Sequence, residues 1–165
     1  MRFNSNPFTS KKKRASGKLA KSMGDIFEAY TQAACRRENI NLEKIPTGCR
    51  YLGPGKLALV KTPFDFILAK NKKTAFIDCK TIESGNFTAS MRDPNQVVSL
   101  LRMHNQSIPA GYIIWFRDKN LVIFATAEQL AKMTKGESIK PTDGIMLGEY
   151  NNFSLQRVLS FFEGV

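Results

Sequence analysis

The sequence predicts an α/β domain in which helices pack on a mixed β-sheet. Apolar runs of strand length (KLALVKT, PFDFIL, TAFIDCKT, GYIIWF and LVIFAT) are interleaved with stretches whose apolar residues recur at helical spacing. A chain of 165 residues is long enough for one core and short for two domains. At 42% hydrophobic and 24% charged residues, the composition is that of a folded domain and not of a disordered chain.

Taken in order, residues 1 to 20 are poor in apolar side chains and rich in Lys, Ser and Asn, which predicts a flexible basic arm ahead of a single domain over residues 21 to 165. Ser22 is the expected N-cap of the first helix, SMGDIFEAYTQAACRREN, with Asp25 three residues on. Its apolar stripe is Ile26, Phe27, Tyr30, Ala33 and Ala34, and Glu28 falls on the flank of that stripe. Residues 39 to 55, with Pro46, Gly48, Gly53, Pro54 and Gly55, predict an irregular connection holding a short strand. KLALVKT and PFDFIL follow as strands, AKNKK as a turn, and TAFIDCKT as the next strand. Asp93 is the expected N-cap of a helix with Pro94 at its first position and a stripe of Val97, Leu100, Leu101 and His104. GYIIWF and LVIFAT form a hairpin across RDKN, TAEQLAKMTKG a short helix closed by Gly136, and SLQRVLSFFEG a last helix.

Composition narrows the chemistry. No apolar run reaches membrane-spanning length and the first residues lack the apolar core of a secretion signal, so a cytoplasmic protein is expected. Three cysteines (Cys35, Cys49 and Cys79) at no zinc spacing, with His104 the one histidine, argue against a His/Cys zinc centre. A Ser-His triad would have to rest on that same histidine. Any metal is therefore expected to be a hard cation on carboxylate oxygens. The net charge is +11, and residues 1 to 24 hold seven Lys or Arg and no Asp or Glu. Such an arm, with Lys11, Lys12, Lys13, Arg14, Lys18 and Lys21, attracts phosphate backbones through counterion release, and an anionic membrane surface can be served by the same patches.

The chemistry concentrates in TPFDFILAKNKKTAFIDCKT. Asp65 and Asp78 each sit among bulky apolar residues, where an unpartnered carboxylate is costly. In a strand, Asp78 and Lys80 project from one face and Cys79 from the other. A hairpin across AKNKK would bring Asp65 near Asp78. One reading is a surface salt bridge of little energetic worth. The other is a site for phosphodiester hydrolysis: the two aspartates, with Glu28 as a candidate third ligand and the Cys79 carbonyl as another oxygen, hold Mg²⁺. Lys80 then orients the attacking water and stabilises the anionic transition state.

Pro63-x-Asp65 followed by Asp78-x-Lys80, after a helix carrying Glu28, resembles the PD-(D/E)XK nuclease superfamily. Within it the pattern is similar to the RecU-type Holliday junction resolvases. The shared features are a basic N-terminal segment, Gly24-Asp-Ile-Phe27-Glu28 at the helix, and Thr62-Pro-Phe-Asp65 before Asp78-Cys-Lys80-Thr81. Gln96 then opens the next helix ahead of an apolar strand. Met23 stands where the family often has arginine, Asp78 where glutamate is commoner, and residues 41 to 61 are shorter than the family's projecting stalk. The resemblance implies a restriction-endonuclease-like core and a Mg²⁺-dependent DNA endonuclease, with Mn²⁺ as a substitute. It also implies four-way junctions as substrate, a homodimer presenting two sites, and Glu28, Asp65, Asp78, Lys80 and Gln96 as the catalytic set. A nuclease of other specificity, of phage or restriction type, and a non-catalytic DNA-binding protein with a decayed site are the alternatives. Gln96 is read either as a first-turn residue satisfying the loop or as a site residue. Tyr112, Trp115, Phe161 and Phe162 are expected in the core, His104 as a partly buried structural histidine, and Cys79 as core-facing and unreactive.

Overall fold

The computed structural model describes residues 8–46, 48–53, 56–60 and 62–163, and the side chains of residues 21–46 and 62–163. Helix α1 runs Phe8–Arg37 without interruption. It therefore starts well ahead of Ser22, which is an interior helix residue and not a cap. The backbone of residues 8 to 20, expected to be irregular, forms the first turns of this helix; residues 1 to 7 lie outside the described residues. Asn39 ends the helix in the left-handed region (φ 54°), and the Ile40 N–H reaches back to the Cys35 carbonyl at 2.8 Å. Arg36 and Arg37 occupy the last turn, where the helix dipole favours cations.

The buried stripe of α1 is Phe27, Thr31, Ala34 and Cys35. Ile26 and Tyr30, expected inside, are 40% and 36% exposed, and Ala33 is exposed as well. Thr31 can take an interior position because its hydroxyl donates to the Phe27 carbonyl at 3.0 Å. Hydrophobicity alone therefore phases the helix about one residue off.

After α1 come β1 (Asn41–Lys44), β2 (Gly48–Gly53), β3 (Lys56–Val60), β4 (Phe66–Lys70), β5 (Lys73–Ile82) and β6 (Phe87–Thr88). Helix α2 (Pro94–His104) leads to β7 (Ala110–Phe116) and β8 (Leu121–Thr126), and α3 (Ala127–Lys132) to β9 (Ser138–Ile139), β10 (Ile145–Glu149) and α4 (Gln156–Leu159). Six strands form the main sheet in the order β1-β4-β5-β7-β8-β10. KLALVKT does not enter it: β3 pairs antiparallel with β2 as a separate two-stranded ribbon. The β5 and β7 strands are parallel, with α2 as the crossover between them, and the other pairs of the sheet are antiparallel. Each face of the sheet carries its own apolar cluster. One gathers Phe27, Ile77 and Ile113 under α1, and the other gathers Leu100, Tyr112 and Leu130 under α2 and α3. Because β7 is covered on both faces, AGYIIWF is buried throughout.

The second half shows how local signals decide boundaries. Asp93 caps α2 as expected, accepting from the Asn95 N–H at 3.0 Å, with Pro94 in the first turn. Helix α3 opens on a reciprocal capping box between Thr126 and Gln129, and it stops at Lys132, short of Gly136. SLQRVLSFFEG yields only α4 and a 3₁₀ turn over Phe161–Glu163. β10 is a strand the sequence did not announce, since Gly148 (φ 137°) sits at a bulge in its pairing with β8.

Candidate active site

The site is built where β4 and β5 part company. Asn71 and Lys72 form a two-residue turn with positive φ at both positions (51° and 66°), the geometry that matches the twist of a hairpin. The turn sets the register out to Phe66↔Ile77; beyond it the register breaks, and the Asp65 side chain comes to lie beside that of Asp78. There the ladder gives way to side-chain bonding: the Cys79 N–H donates to Asp65 Oδ2 at 3.0 Å, and the Asp65 N–H to the Ile77 carbonyl at 3.1 Å. Asp65 thus stands in for a missing strand partner, which fixes its carboxylate against β5.

Asp78 is completely buried. Its Oδ1 accepts from Gln96 Nε2 at 2.7 Å, while Oδ2 has the Lys80 ammonium as its close neighbour and accepts no other hydrogen bond. Burial pushes its carboxyl up to about 7; Lys80 counteracts this and the neighbouring Asp65 adds to it. Of the two readings of Asp78 and Lys80, the surface salt bridge is the one that fails, since one partner is wholly out of water. Gln96, in the first turn of α2, also accepts from Lys80 Nζ at 3.2 Å and from the Tyr112 hydroxyl at 3.3 Å. The Lys80 ammonium lies 4.9 Å from the centre of the Tyr112 ring. Asp65, Asp78, Lys80, Gln96 and Tyr112 form one connected polar cluster. The sequence places Tyr112 in the core by its apolar surroundings, and those surroundings hide the role of its hydroxyl.

Cys79 points to the opposite face, its Sγ 3.6 Å from Thr31 Oγ1, and burial raises its thiol well above the ordinary value. That agrees with an unreactive, core-facing cysteine. Glu28 flanks the site from α1 and accepts from Lys44 Nζ at 2.5 Å. Lys44 is held above its ordinary pKa, first by this hydrogen bond and further by Asp65 and Asp25. It belongs to the site's surroundings and is not anticipated by the sequence: it lies in NLEK, a polar edge strand without alternation. Lys11, Lys12, Lys13, Arg14 and Lys18 fall on the N-terminal turns of α1, and Lys21 further along it is exposed. Trp115 is in the core, stacked on Tyr150 at 4.9 Å, whereas Phe161 and Phe162 are only half-buried and face His104.

The donor set suits a hard divalent cation. Two carboxylates lie side by side with a single ammonium, Lys80, against one of them, so a further positive charge is accommodated. Among the described residues, no three His, Cys, Asp or Glu side chains are gathered closely enough to hold an ion by themselves. Asp65 and Asp78 with backbone and water oxygens are the group that fits. No helix among the described residues is long and apolar enough to cross a membrane.

Compared with known proteins, the sequence matches no family model and no curated protein. Its fold is similar to that of Hjc, a Holliday junction resolvase from the hyperthermophilic archaeon Archaeoglobus fulgidus. The TM-score is 0.53, with 14% identity, over 74% of this chain and 95% of that one. At such identity the likeness is one of fold. The chain therefore has the mixed α/β core that its sequence predicts, a six-stranded sheet flanked by helices, shared in outline with this archaeal resolvase.

Proposed function

We propose that the protein is a divalent-metal-dependent DNA endonuclease that cuts branched DNA, with the four-way junction as its favoured substrate. One observation carries this reading. A fully buried aspartate, a second aspartate beside it, a lysine and a glutamine converge at the fork of β4 and β5, in a fold similar to that of a Holliday junction resolvase. Buried ionisable groups clustered in this way cost stability, and such clusters concentrate at functional sites. Asp65, Asp78 and the Cys79 carbonyl would hold Mg²⁺ or Mn²⁺. The bound ion would supply an activated water and neutralise charge on the phosphate. Lys80, on the Asp78 face of β5 and partly open to solvent, orients the water and stabilises charge in the transition state. Gln96 keeps Lys80 and Asp78 in place. The basic turns of α1 bind the phosphate backbone. Symmetric resolution needs two opposed nicks, hence a homodimer with two equivalent sites.

The test is cleavage of four-way junction and linear duplex DNA with Mg²⁺ or EDTA, for the wild type and Asp78→Ala. Junction cutting that needs Mg²⁺ and is lost in the variant is expected. Equal cutting of linear duplex would leave a nuclease of other specificity. No metal-dependent cutting of any DNA would leave a DNA-binding protein with a decayed site.

A further inference from the structure

Lys44 lies beside the site, and neither the motif nor the proposed chemistry uses it. It ends edge strand β1, opposite Phe66, and the next residue, Ile45, donates its N–H to the Asp65 carbonyl at 2.9 Å. The strand end is thereby held against Asp65, and Lys44 reaches across to α1, where its Nζ sits 2.5 Å from Glu28 Oε2. The lysine is 57% exposed and the glutamate 22%. An exposed pair of this kind adds little to stability. Its position gives it another consequence. Glu28 is the carboxylate of α1 that flanks the site, and as long as it is paired with Lys44 it is not free to complete a ligand set with Asp65 and Asp78.

We propose that Lys44 is a resident counter-ion that competes with the divalent cation for Glu28, so that metal binding must displace the ammonium. The inference rests on the reading of Asp65 and Asp78 as a metal centre. Physically it is a difference of affinities: whatever holds the glutamate in the metal-free protein is subtracted from what the ion gains by recruiting it. Lys44 is accordingly a positioning residue, acting through Glu28, and its effect is on metal affinity and not on the chemical step.

Mn²⁺ binding to the DNA-free protein, followed by the electron paramagnetic resonance signal of the free ion, reads this directly. Lys44→Met is expected to tighten Mn²⁺ binding about three- to tenfold, the scale of one partly screened charge. Lys44→Arg, which keeps the cation, should bind as the wild type does. Lys72→Met, which removes the same charge at the exposed hairpin turn, should leave binding unchanged. In a Glu28→Gln background the gain from Lys44→Met should fall well below that in the wild-type background, since only the longer-range attraction of Lys44 to Asp65 is left to lose, and an undiminished gain overturns the proposal. Unchanged Mn²⁺ affinity in Lys44→Met, or an equal gain in Lys72→Met, overturns the proposal. A wild type that binds no Mn²⁺ at all overturns the metal centre itself. Circular dichroism of each variant establishes that the fold is kept.

Discussion

Gln96 uses both ends of its amide on the polar cluster, giving a hydrogen to Asp78 and taking one each from Lys80 and Tyr112. Truncation to alanine leaves a buried carboxylate without its neutral partner and frees Lys80 to move. We expect Gln96→Ala to lower single-turnover cleavage by about 10- to 100-fold, as for other residues that orient a metal ligand. The fold should be kept, because Val97 and Leu100 still bury α2. Asp78→Asn should abolish cleavage and yet raise the melting temperature of the metal-free protein at neutral pH, since it removes a charge from a site without water. Scanning calorimetry without added metal decides this, and a lower melting temperature would show that the Asp78–Lys80 pair stabilises the fold on balance. The sequence leaves Gln96 open between a loop role and a site role because both place it in the first turn of a helix. Only the packing of α2 against β7 and β5 brings its amide to Asp78. Lys44 is illegible for a related reason: its partner is on another element, and nothing in NLEK marks a lysine that reaches it.

The hairpin of β4 and β5 is the element in which sequence and structure agree most closely. Two apolar runs around a short polar turn suffice to bring Asp65 close to Asp78, since pairing outward from a two-residue turn fixes the register as far as Phe66↔Ile77. What matters is parity and not the spacing itself. Deleting Lys70 and Lys73 together shortens both strands by one and keeps the two acids side by side. Deleting Lys70 alone should slip the register and abolish activity, which a junction-cleavage assay of the two deletions would distinguish. Elements without such constraint are harder to read. The stripe of α1 is misphased in the sequence because a satisfied threonine is inside and two large apolar residues are outside. β10 is hidden by its glycine bulge. β7 is recognisable from its apolar run, but its tightness is not. A Cβ on Gly111 would lie 2.1 Å from the Ala125 carbonyl oxygen across the β7–β8 ladder. Gly111→Ala should therefore destabilise by about 1–3 kcal/mol, as overpacking commonly does, and urea unfolding measures it.

At the scale of the molecule, the fold class is legible because alternating strand and helix signals leave few ways to cover a sheet on both faces. The pairing of β2 with β3 away from that sheet is not, since an apolar strand does not announce its partner. The excess positive charge is equally plain, while its setting is not: the basic residues from Lys11 to Lys21 lie on a continuous helix and not on a coil. Removing residues 1 to 20 should weaken DNA binding and flatten its dependence on salt, by about 0.9 in logarithmic slope for each phosphate no longer neutralised. An unchanged slope would mean that this segment touches no phosphate. A coil of that length would sample many distances from the Asp65–Asp78 cluster, whereas a helix holds one. At about 1.5 Å per residue, Lys11 stands about 25 Å along the axis from Glu28. That distance spans roughly seven base pairs of duplex at about 3.4 Å each. The helix is then a gauge, and backbone protection on bound DNA should extend a set number of base pairs from the cut.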